Sequence, residues 1–325
     1  MSRVAVYGAG AVGGYLAWQF ARAGHAVSVI ARGAQLAAIR AEGITLDVHD
    51  RPAESVAVVA TDDPRTLGAQ DMVIVTLKHP GLAGAVDGLG HLAAAGAPFV
   101  FANNGVPWWM EPGLDLLDPG GRLAGAIAPT ARVGCIVKAS IEVTTPGVVS
   151  MDTPSARFIV GPASPDAEDA AGAASALFEQ AGIRTTFKPD LRPAVWDKLL
   201  LNLGFGLPAA ILGLPVGACA SQPDMQPLLK ELLDEIRAIA RADGVATTIA
   251  DDVLRDAAIL SSPHLPSLLQ DLRRGRPAEI DALVAAPLLI ARRAGIAVPA
   301  LERLGALVTA KARALGSYEG PAGHG

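Results

Sequence analysis

Two polar residues, Lys198 and Asn202, stand in the apolar segment Val195-Trp-Asp-Lys-Leu-Leu-Leu-Asn-Leu-Gly-Phe205. Their spacing of four puts both on one face of a helix. Their neighbours are Trp196, Leu199, Leu200, Leu201 and Leu203. Burying an ammonium and an amide costs on the order of several kcal/mol unless both are paired. A partly desolvated lysine has its pKa drawn down toward neutrality and can donate a proton, which arginine cannot do. The alternative is a snorkelling lysine paired with Asp197 or another acid. Only six of the 27 basic residues are lysine, namely Lys78, Lys138, Lys188, Lys198, Lys230 and Lys311. That scarcity draws attention to a lysine in an apolar setting. A second polar run, Ser267-Leu-Leu-Gln-Asp271, leads through Gly275-Arg-Pro-Ala to Glu279-Ile-Asp281. It reads as a helix, a glycine stop and a second helix with two acids in its first turn; plain capping is the alternative reading.

Near the N-terminus, Gly8-Ala-Gly10-Ala11-Val12-Gly13 follows a short apolar run and opens a helical stretch. A G-x-G-x-x-G loop in that place lets backbone approach a pyrophosphate, and the helix start at Ala11 and Val12 offers N–H groups to the anion. The second strand ends in Ile30-Ala-Arg32-Gly33, without the acid that would bond a ribose 2′-hydroxyl. An arginine there can hold a 2′-phosphate, so Arg32 points to NADPH; a solvated surface arginine is the alternative. Thr76-Leu-Lys78 and Asn103-Asn104-Gly105 end two further strands, where doubly wound sheets bind ligands.

These residues need elements to hold them. Strands are predicted at Val4–Tyr7, Ala26–Ala31, Ser55–Val59, Met72–Leu77 and Pro98–Ala102, with helices at Gly14–Ala23, Gln35–Ala41 and Leu82–Ala95. The alternation predicts an α/β fold: an N-terminal Rossmann-type, doubly wound parallel sheet. Shorter β runs at Ile141–Thr145, Val148–Met151 and Arg157–Val160 are expected to extend it, with a turn at Pro146-Gly147. Beyond about Pro189 only helices are predicted: Val195–Phe205, Met225–Ala242, Ala246–Leu260, Ser267–Arg274, Glu279–Ala294 and Ala300–Ala314. The expected organisation is a cofactor-binding domain over 1–189, a C-terminal all-helical substrate domain over 190–316 with a cleft between them, and a disordered tail over 317–325.

Composition agrees with a folded two-domain chain. The 325 residues are 51% hydrophobic and 18% charged, enough for a sizeable core. A net charge of −5 offers no footprint for nucleic acid or an anionic membrane. Two cysteines, Cys135 and Cys219, make no disulfide framework, and the six histidines show no ligand spacing, so no metal is expected. No charged n-region or cleavage site precedes Arg3, which makes a cytoplasmic location the default. The uncharged stretch from Leu199 to Ala220 is long enough to span a bilayer, but its Asn202, four glycines and two prolines favour buried helices broken at Pro208 and Pro215. His79 is assigned to a surface loop, and the apolar helical domain permits a homodimer.

Taken in order, the Gly8–Gly13 loop, Thr76-Leu77-Lys78, Asn104-Gly105, the Lys198…Asn202 helix and Ser267…Glu279-Ile-Asp281 resemble the ketopantoate reductase (2-dehydropantoate 2-reductase) family over roughly residues 3–315. The resemblance implies NADPH-dependent reduction of a small 2-oxo acid to its (R)-2-hydroxy acid, with 2-dehydropantoate as the leading substrate, in pantothenate and coenzyme A synthesis. It implies Lys198 as general acid and Glu279 as its companion. Asn202 and Ser267 would hold the substrate, and Asn104 and Lys78 would face the nicotinamide ribose and the reacting centre. One position departs from the family pattern: Gly206 stands where a second asparagine is usual. With Trp108-Trp109 after Asn104-Gly105, it opens the alternative of a bulkier 2-oxo or 3-hydroxy acid. A non-catalytic NADPH sensor is the remaining alternative; it would have no need of Lys198.

Overall fold

The computed structural model describes residues 1–49, 51–111, 113–151 and 156–320. The chain divides into two compact units: Met1–Asn103 with Gly120–Leu191, and Asn104–Pro119 with the chain from Arg192 onward. The second unit therefore claims a segment, Asn104–Pro119, that the strand pattern had left with the first.

Among the described residues twelve strands build the first unit: β1 (Arg3–Tyr7), β2 (Ala26–Ile30), β3 (Ile44–Val48), β4 (Glu54–Val56), β5 (Val59–Thr61), β6 (Met72–Val75), β7 (Phe99–Phe101), β8 (Arg132–Lys138), β9 (Ile141–Thr145), β10 (Val148–Met151), β11 (Arg157–Pro162) and β12 (Thr185–Phe187). Eight form the main sheet, in the order β12-β11-β8-β7-β6-β1-β2-β5. Every neighbouring pair in it is parallel except β8 with β11. Its central strands carry near-continuous apolar runs, such as Val4-Ala-Val6 and Met72-Val-Ile-Val75, because both faces are covered. The Ala11–Arg22 helix buries Leu16, Trp18 and Phe20. Phe20 meets Phe178 of the Glu168–Gln180 helix edge to face, with ring centroids 5.4 Å apart.

Two expectations about strands need correction. The β9 and β10 runs do not extend the main sheet; with β3 and β4 they form a separate four-stranded sheet, β4-β3-β10-β9. The run Ser55–Val59 is not one strand either. β4 pairs antiparallel with β3 in the small sheet, and β5 pairs parallel with β2 at the edge of the large one. A single apolar run carries no information about which partner each half will find.

The second unit is helical. Its longest continuous stretch runs from Arg192 to Leu212 as an α-helix (Arg192–Leu201), a π-helical turn (Asn202–Gly206) and a second α-helical piece (Leu207–Leu212). Its length and mean hydropathy of 1.3 would suit a membrane span, yet 72% of its apolar window is buried inside the protein, as in a core helix. The break expected at Pro208 is absent. Proline lacks an N–H and its ring crowds the carbonyl four residues back. The π turn widens the helix just before that point and lets the proline pass. The same arrangement recurs: the π turn Asp281–Ala285 is followed by Pro287 and the Ala286–Arg293 helix. In both, the proline stands six residues after the first residue of the π turn.

Other helices include Gln226–Ala242, Ser267–Arg273 and Pro299–Ala314. The start of the last is held by buried Glu235, whose carboxylate accepts from the Ala300 and Leu301 N–H groups at 2.8 Å each. The predicted helix Ala246–Leu260 shrinks to its last turn, Ala257–Leu260, preceded by a 3-10 turn at Val253–Arg255. Thr247-Thr248-Ile249 is β-branched, and Asp197 takes the Thr248 N–H at 2.6 Å, which an α-helix over this stretch would need for itself.

The expectation of a disordered tail from 317 is overturned for Ser317 and Tyr318, which are buried. Gly316, at φ +65°, ends the last helix in a Schellman turn, with the Ser317 N–H on the Ala312 carbonyl at 2.8 Å. The turn sends the chain back onto the protein. Residues 321–325 of that expected tail lie outside the described residues.

Candidate active site

In the first unit the glycine loop joins β1 to the Ala11–Arg22 helix. A side chain at Gly13 would put its Cβ 1.9 Å from the Gly8 carbonyl oxygen and 2.4 Å from Thr76 Oγ1, so glycine is obligatory there. Thr76 Oγ1 donates to that same carbonyl at 2.7 Å. Gln35 Nε2 donates to the Ala9 carbonyl at 2.6 Å, and its Oε1 accepts the Gly147 N–H at 3.1 Å. The loop is thus braced on both sides. Gly10 is different. Its φ of −74° suits any residue, and a Cβ there would meet nothing within 4 Å. No side chain caps the helix it opens, and no acid lies in the first turn. Ala11 and Val12 begin a helix whose N-terminal field and N–H groups favour an anion, beside open space that a side chain at Gly10 would invade. The loop therefore fits a dinucleotide.

Arg32 is exposed just past β2, in extended backbone, and precedes the helix Gly33–Glu42. Its charge reaches the Tyr7 hydroxyl at the end of β1, where burial raises the phenol pKa and Arg32 partly opposes that rise. Lys78 is half-buried past the end of β6. His79 after it is buried rather than in a surface loop. Asn103 Nδ2 donates to the Leu77 carbonyl at 2.5 Å and so ties the ends of β6 and β7 together.

The second unit brings three of the sequence-selected residues into contact. Lys198 Nζ donates to Asn104 Oδ1 at 2.6 Å, and Asn104 Nδ2 lies 3.4 Å from Glu279 Oε2. One amide thus bridges an ammonium and a buried carboxylate, a satisfied charge-assisted arrangement. Asn202 sits half-buried one turn beyond Lys198, at the first position of its π turn. Ser267 is exposed at the first position of the Ser267–Arg273 helix, on a separate element from the amide bridge. The residue before it, Pro266, is the nearest neighbour that a side chain at Gly206 would touch, at 3.5 Å.

The Lys198 helix is fixed by its own polar neighbours. Trp196 is fully buried, and its Nε1 donates to Asp243 Oδ2 at 2.6 Å. Asp243 also takes Arg192. Asp197 does not pair with Lys198; its carboxylate accepts from Thr248 N and Oγ1 and from Ile249 N. These bonds set the rotation of the helix and leave Lys198 to Asn104. Asn104 is held from the other side. Gly105, at φ +82°, packs so closely on Ala282 that a Cβ would lie 2.5 Å from its carbonyl carbon, and the Val106 N–H donates to the Ala282 carbonyl at 2.8 Å. Ala282 belongs to the π turn that follows Glu279. Lys198 thus stands one turn before the π turn Asn202–Gly206, and Glu279 lies just outside the helix that opens with the π turn Asp281–Ala285; π turns are frequent at functional sites.

Glu111, in the same inserted segment, faces Asp243. Burial raises its carboxyl pKa, the like charge of Asp243 and a hydrogen bond to it raise it further, and Arg192 opposes them. Trp108 and Trp109 are 3% and 8% exposed, so neither indole presents a wall to solvent. Glu279 and Asp281 are buried too, and Ile280, the N-cap of the π turn after Glu279, makes no side-chain capping bond. Among the described residues no cluster of His, Cys, Asp or Glu could hold a metal ion. Gln35, the bracing role of Thr76, and the pairings of Asp243 and Tyr318 escaped the sequence reading. Of these only Thr76, a hydroxyl at a strand end beside the loop, carried a sequence signal.

A doubly wound sheet with a glycine loop at its first strand, coupled in one chain to a helical unit holding a lysine–amide–carboxylate bridge, defines a nicotinamide-dependent oxidoreductase. Comparison with known proteins carries this further. The family model "Ketopantoate reductase PanE/ApbA" matches residues 4–163, and its C-terminal counterpart matches residues 190–312. The chain is 34% identical to a 2-dehydropantoate 2-reductase of Mesorhizobium japonicum over 97% of this chain and 99% of that one. A crystal structure from Ralstonia solanacearum assigned to the ketopantoate reductases superposes with a TM-score of 0.90 at 32% identity, covering 98% of this chain and 100% of the other. A D-mandelate dehydrogenase solved with NADH and anilino(oxo)acetate shares the fold, with a TM-score of 0.84 at 17% identity over 96% and 99% of the two chains. The protein belongs to the ketopantoate reductase family and is an enzyme, an oxidoreductase.

Proposed function

We propose that the protein reduces a 2-oxo acid to the (R)-2-hydroxy acid with NADPH, that 2-dehydropantoate is the substrate, and that it acts in the cytoplasm in pantothenate and coenzyme A synthesis. The observation that carries this reading is the Lys198–Asn104–Glu279 bridge. The bound nicotinamide supplies a hydride to the keto carbon. As negative charge gathers on the keto oxygen, Lys198 Nζ stabilises it and then delivers its proton there. Asn104 Oδ1 aims the ammonium, and Glu279 supplies the opposing charge that keeps Asn104 oriented. Asn202 and Ser267 bind the polar groups of the acid. The glycine loop and the N–H groups at Ala11 and Val12 take the pyrophosphate, Arg32 takes the 2′-phosphate, and Lys78 faces the reacting end of the cofactor.

Gly206 favours a second reading, a bulkier 2-oxo acid. Neither its backbone (φ −69°) nor its neighbours demand glycine, since a Cβ would meet Pro266 at an ordinary 3.5 Å. Glycine inside a helix costs about 1 kcal/mol relative to alanine. Space for a ligand substituent explains why it is there. Turnover of purified protein with NADPH across a panel of 2-oxo acids tests both readings. 2-Dehydropantoate should give the highest kcat/KM; undetectable turnover of it beside good activity on bulkier oxo acids would replace the first reading with the second.

A further inference from the structure

Glu279 sits on a short segment gripped from an unexpected side. After the Schellman turn at Gly316, the chain lays Ser317 and Tyr318 against residues 278–281. The Ala278 N–H donates to the Ser317 carbonyl at 2.8 Å. The Tyr318 hydroxyl donates to Asp281 Oδ1 at 2.5 Å. One anchor falls on the residue before Glu279 and the other two residues after it. Ser317, Tyr318 and Asp281 are all buried. The Arg313 guanidinium stands over the Tyr318 ring, 5.7 Å from its centre, and holds the ring from the last helix. The same gripped segment continues into Ala282, on which Gly105 and Val106 are packed, so its position also sets that of Asn104.

We propose that Ser317–Tyr318 is a strap that positions the Asn104–Glu279 pair, with Tyr318 as a positioning residue acting through Asp281. The proposal rests on the reading of Lys198, Asn104 and Glu279 as the reaction site. Geometry favours it over a merely structural clamp. The strap's two bonds go to the ends of the four-residue stretch 278–281 that contains Glu279, and a hydroxyl–carboxylate bond fixes direction as well as distance. Burial, the bond to Asp281 and its charge all raise the Tyr318 phenol pKa, so the hydroxyl keeps its proton across the working range and the anchor holds.

The experiment compares Tyr318→Phe, Asp281→Asn and the double variant with wild type, with kcat and KM measured well below each variant's melting temperature. Phenylalanine fills the same space and removes only the hydroxyl. Displacing a catalytic group by a fraction of an ångström should lower kcat by roughly tenfold in each single variant, with KM for NADPH within about twofold. The double variant should be no worse than the worse single one, because both break the same bond. A chain ending after Gly320 should match wild type, whereas one ending after Gly316 should lose at least as much kcat as Tyr318→Phe. A kcat within about twofold of wild type in Tyr318→Phe and Asp281→Asn would overturn the proposal. So would failure of Tyr318→Phe to fold, because the contact would then serve stability. Lys198→Ala and Glu279→Gln separate this from the functional reading. If they keep turnover, the site assignment falls; if they lose it while the Tyr318 and Asp281 variants do not, the strap alone falls.

Discussion

The glycine loop of the first unit and the lysine bridge of the second are organised in opposite ways. The loop is continuous in sequence, and its form follows from backbone: a carbonyl and a hydroxyl crowd Gly13, while Gly10 faces open space. The bridge draws Asn104, Lys198 and Glu279 from three distant stretches, and its form follows from side-chain hydrogen bonds. A loop of the first kind tolerates almost no change at its crowded glycine and takes from the rest of the chain only the bracing of Thr76 and Gln35. A site of the second kind survives small changes in any one element but depends on several supports: Asp243 under Trp196 and Arg192, Ala282 under Gly105, and Tyr318 beside Asp281.

The contrast breaks most readily at Lys198. Lys198→Ala should lower kcat by at least about a thousandfold with NADPH binding nearly unchanged, measured by steady-state kinetics and fluorescence titration. Intact turnover would leave a cofactor-binding protein without this chemistry. The loop should answer in the other currency. Gly13→Ala forces its Cβ into backbone and should cost on the order of several kcal/mol of stability, or about a hundredfold in NADPH affinity if the loop yields. Gly10→Ala should leave the melting temperature unchanged and still weaken NADPH by roughly tenfold, since it meets ligand and no protein atom. Equal effects of the two substitutions on melting would remove the distinction.

Within the loop region, Arg32→Ala should weaken NADPH by roughly tenfold to a hundredfold and NADH by little, read as the ratio of dissociation constants. Equal losses would take Arg32 off the 2′-phosphate. The smallest effect belongs to a support of the second unit. The carboxyl of Glu111 has a raised pKa in the folded chain. The stability its proton confers is complete below the unfolded pKa and is lost as pH rises through the folded value. Glu111→Gln mimics the protonated form, so it should melt a few degrees above wild type at pH 8 and converge with it toward pH 4. A difference that grows as pH falls would reverse the assignment.

Much of the first unit was readable because its signals are local. Apolar runs of strand length, a glycine loop after the first of them and a change to helical period near Pro189 each express a short-range rule. What escaped depended on partners. The β9 and β10 runs were recognised as strands but assigned to the wrong sheet, since pairing is a choice among distant edges. The helix over Ala246–Leu260 failed because Asp197 takes the Thr248 N–H from some fifty residues away. Pro208 read as a helix break, yet it follows a π turn that carries the helix past it. Ser317 and Tyr318 read as tail because a short polar end beyond a glycine looks the same in sequence whether it leaves the protein or turns back.

The sequence by itself determined most of the element types, the uncapped helix start at Ala11, and the presence of lysine rather than arginine at position 198, because each depends on residues within a few positions of one another. Only the tertiary structure decided that Asn104 leaves the strand-rich unit to bridge Lys198 and Glu279, and that Tyr318 closes on Asp281. Those are contacts between residues far apart in the chain. They form because a half-buried ammonium, or a buried carboxylate or hydroxyl, must find a partner wherever the fold brings one within hydrogen-bond reach.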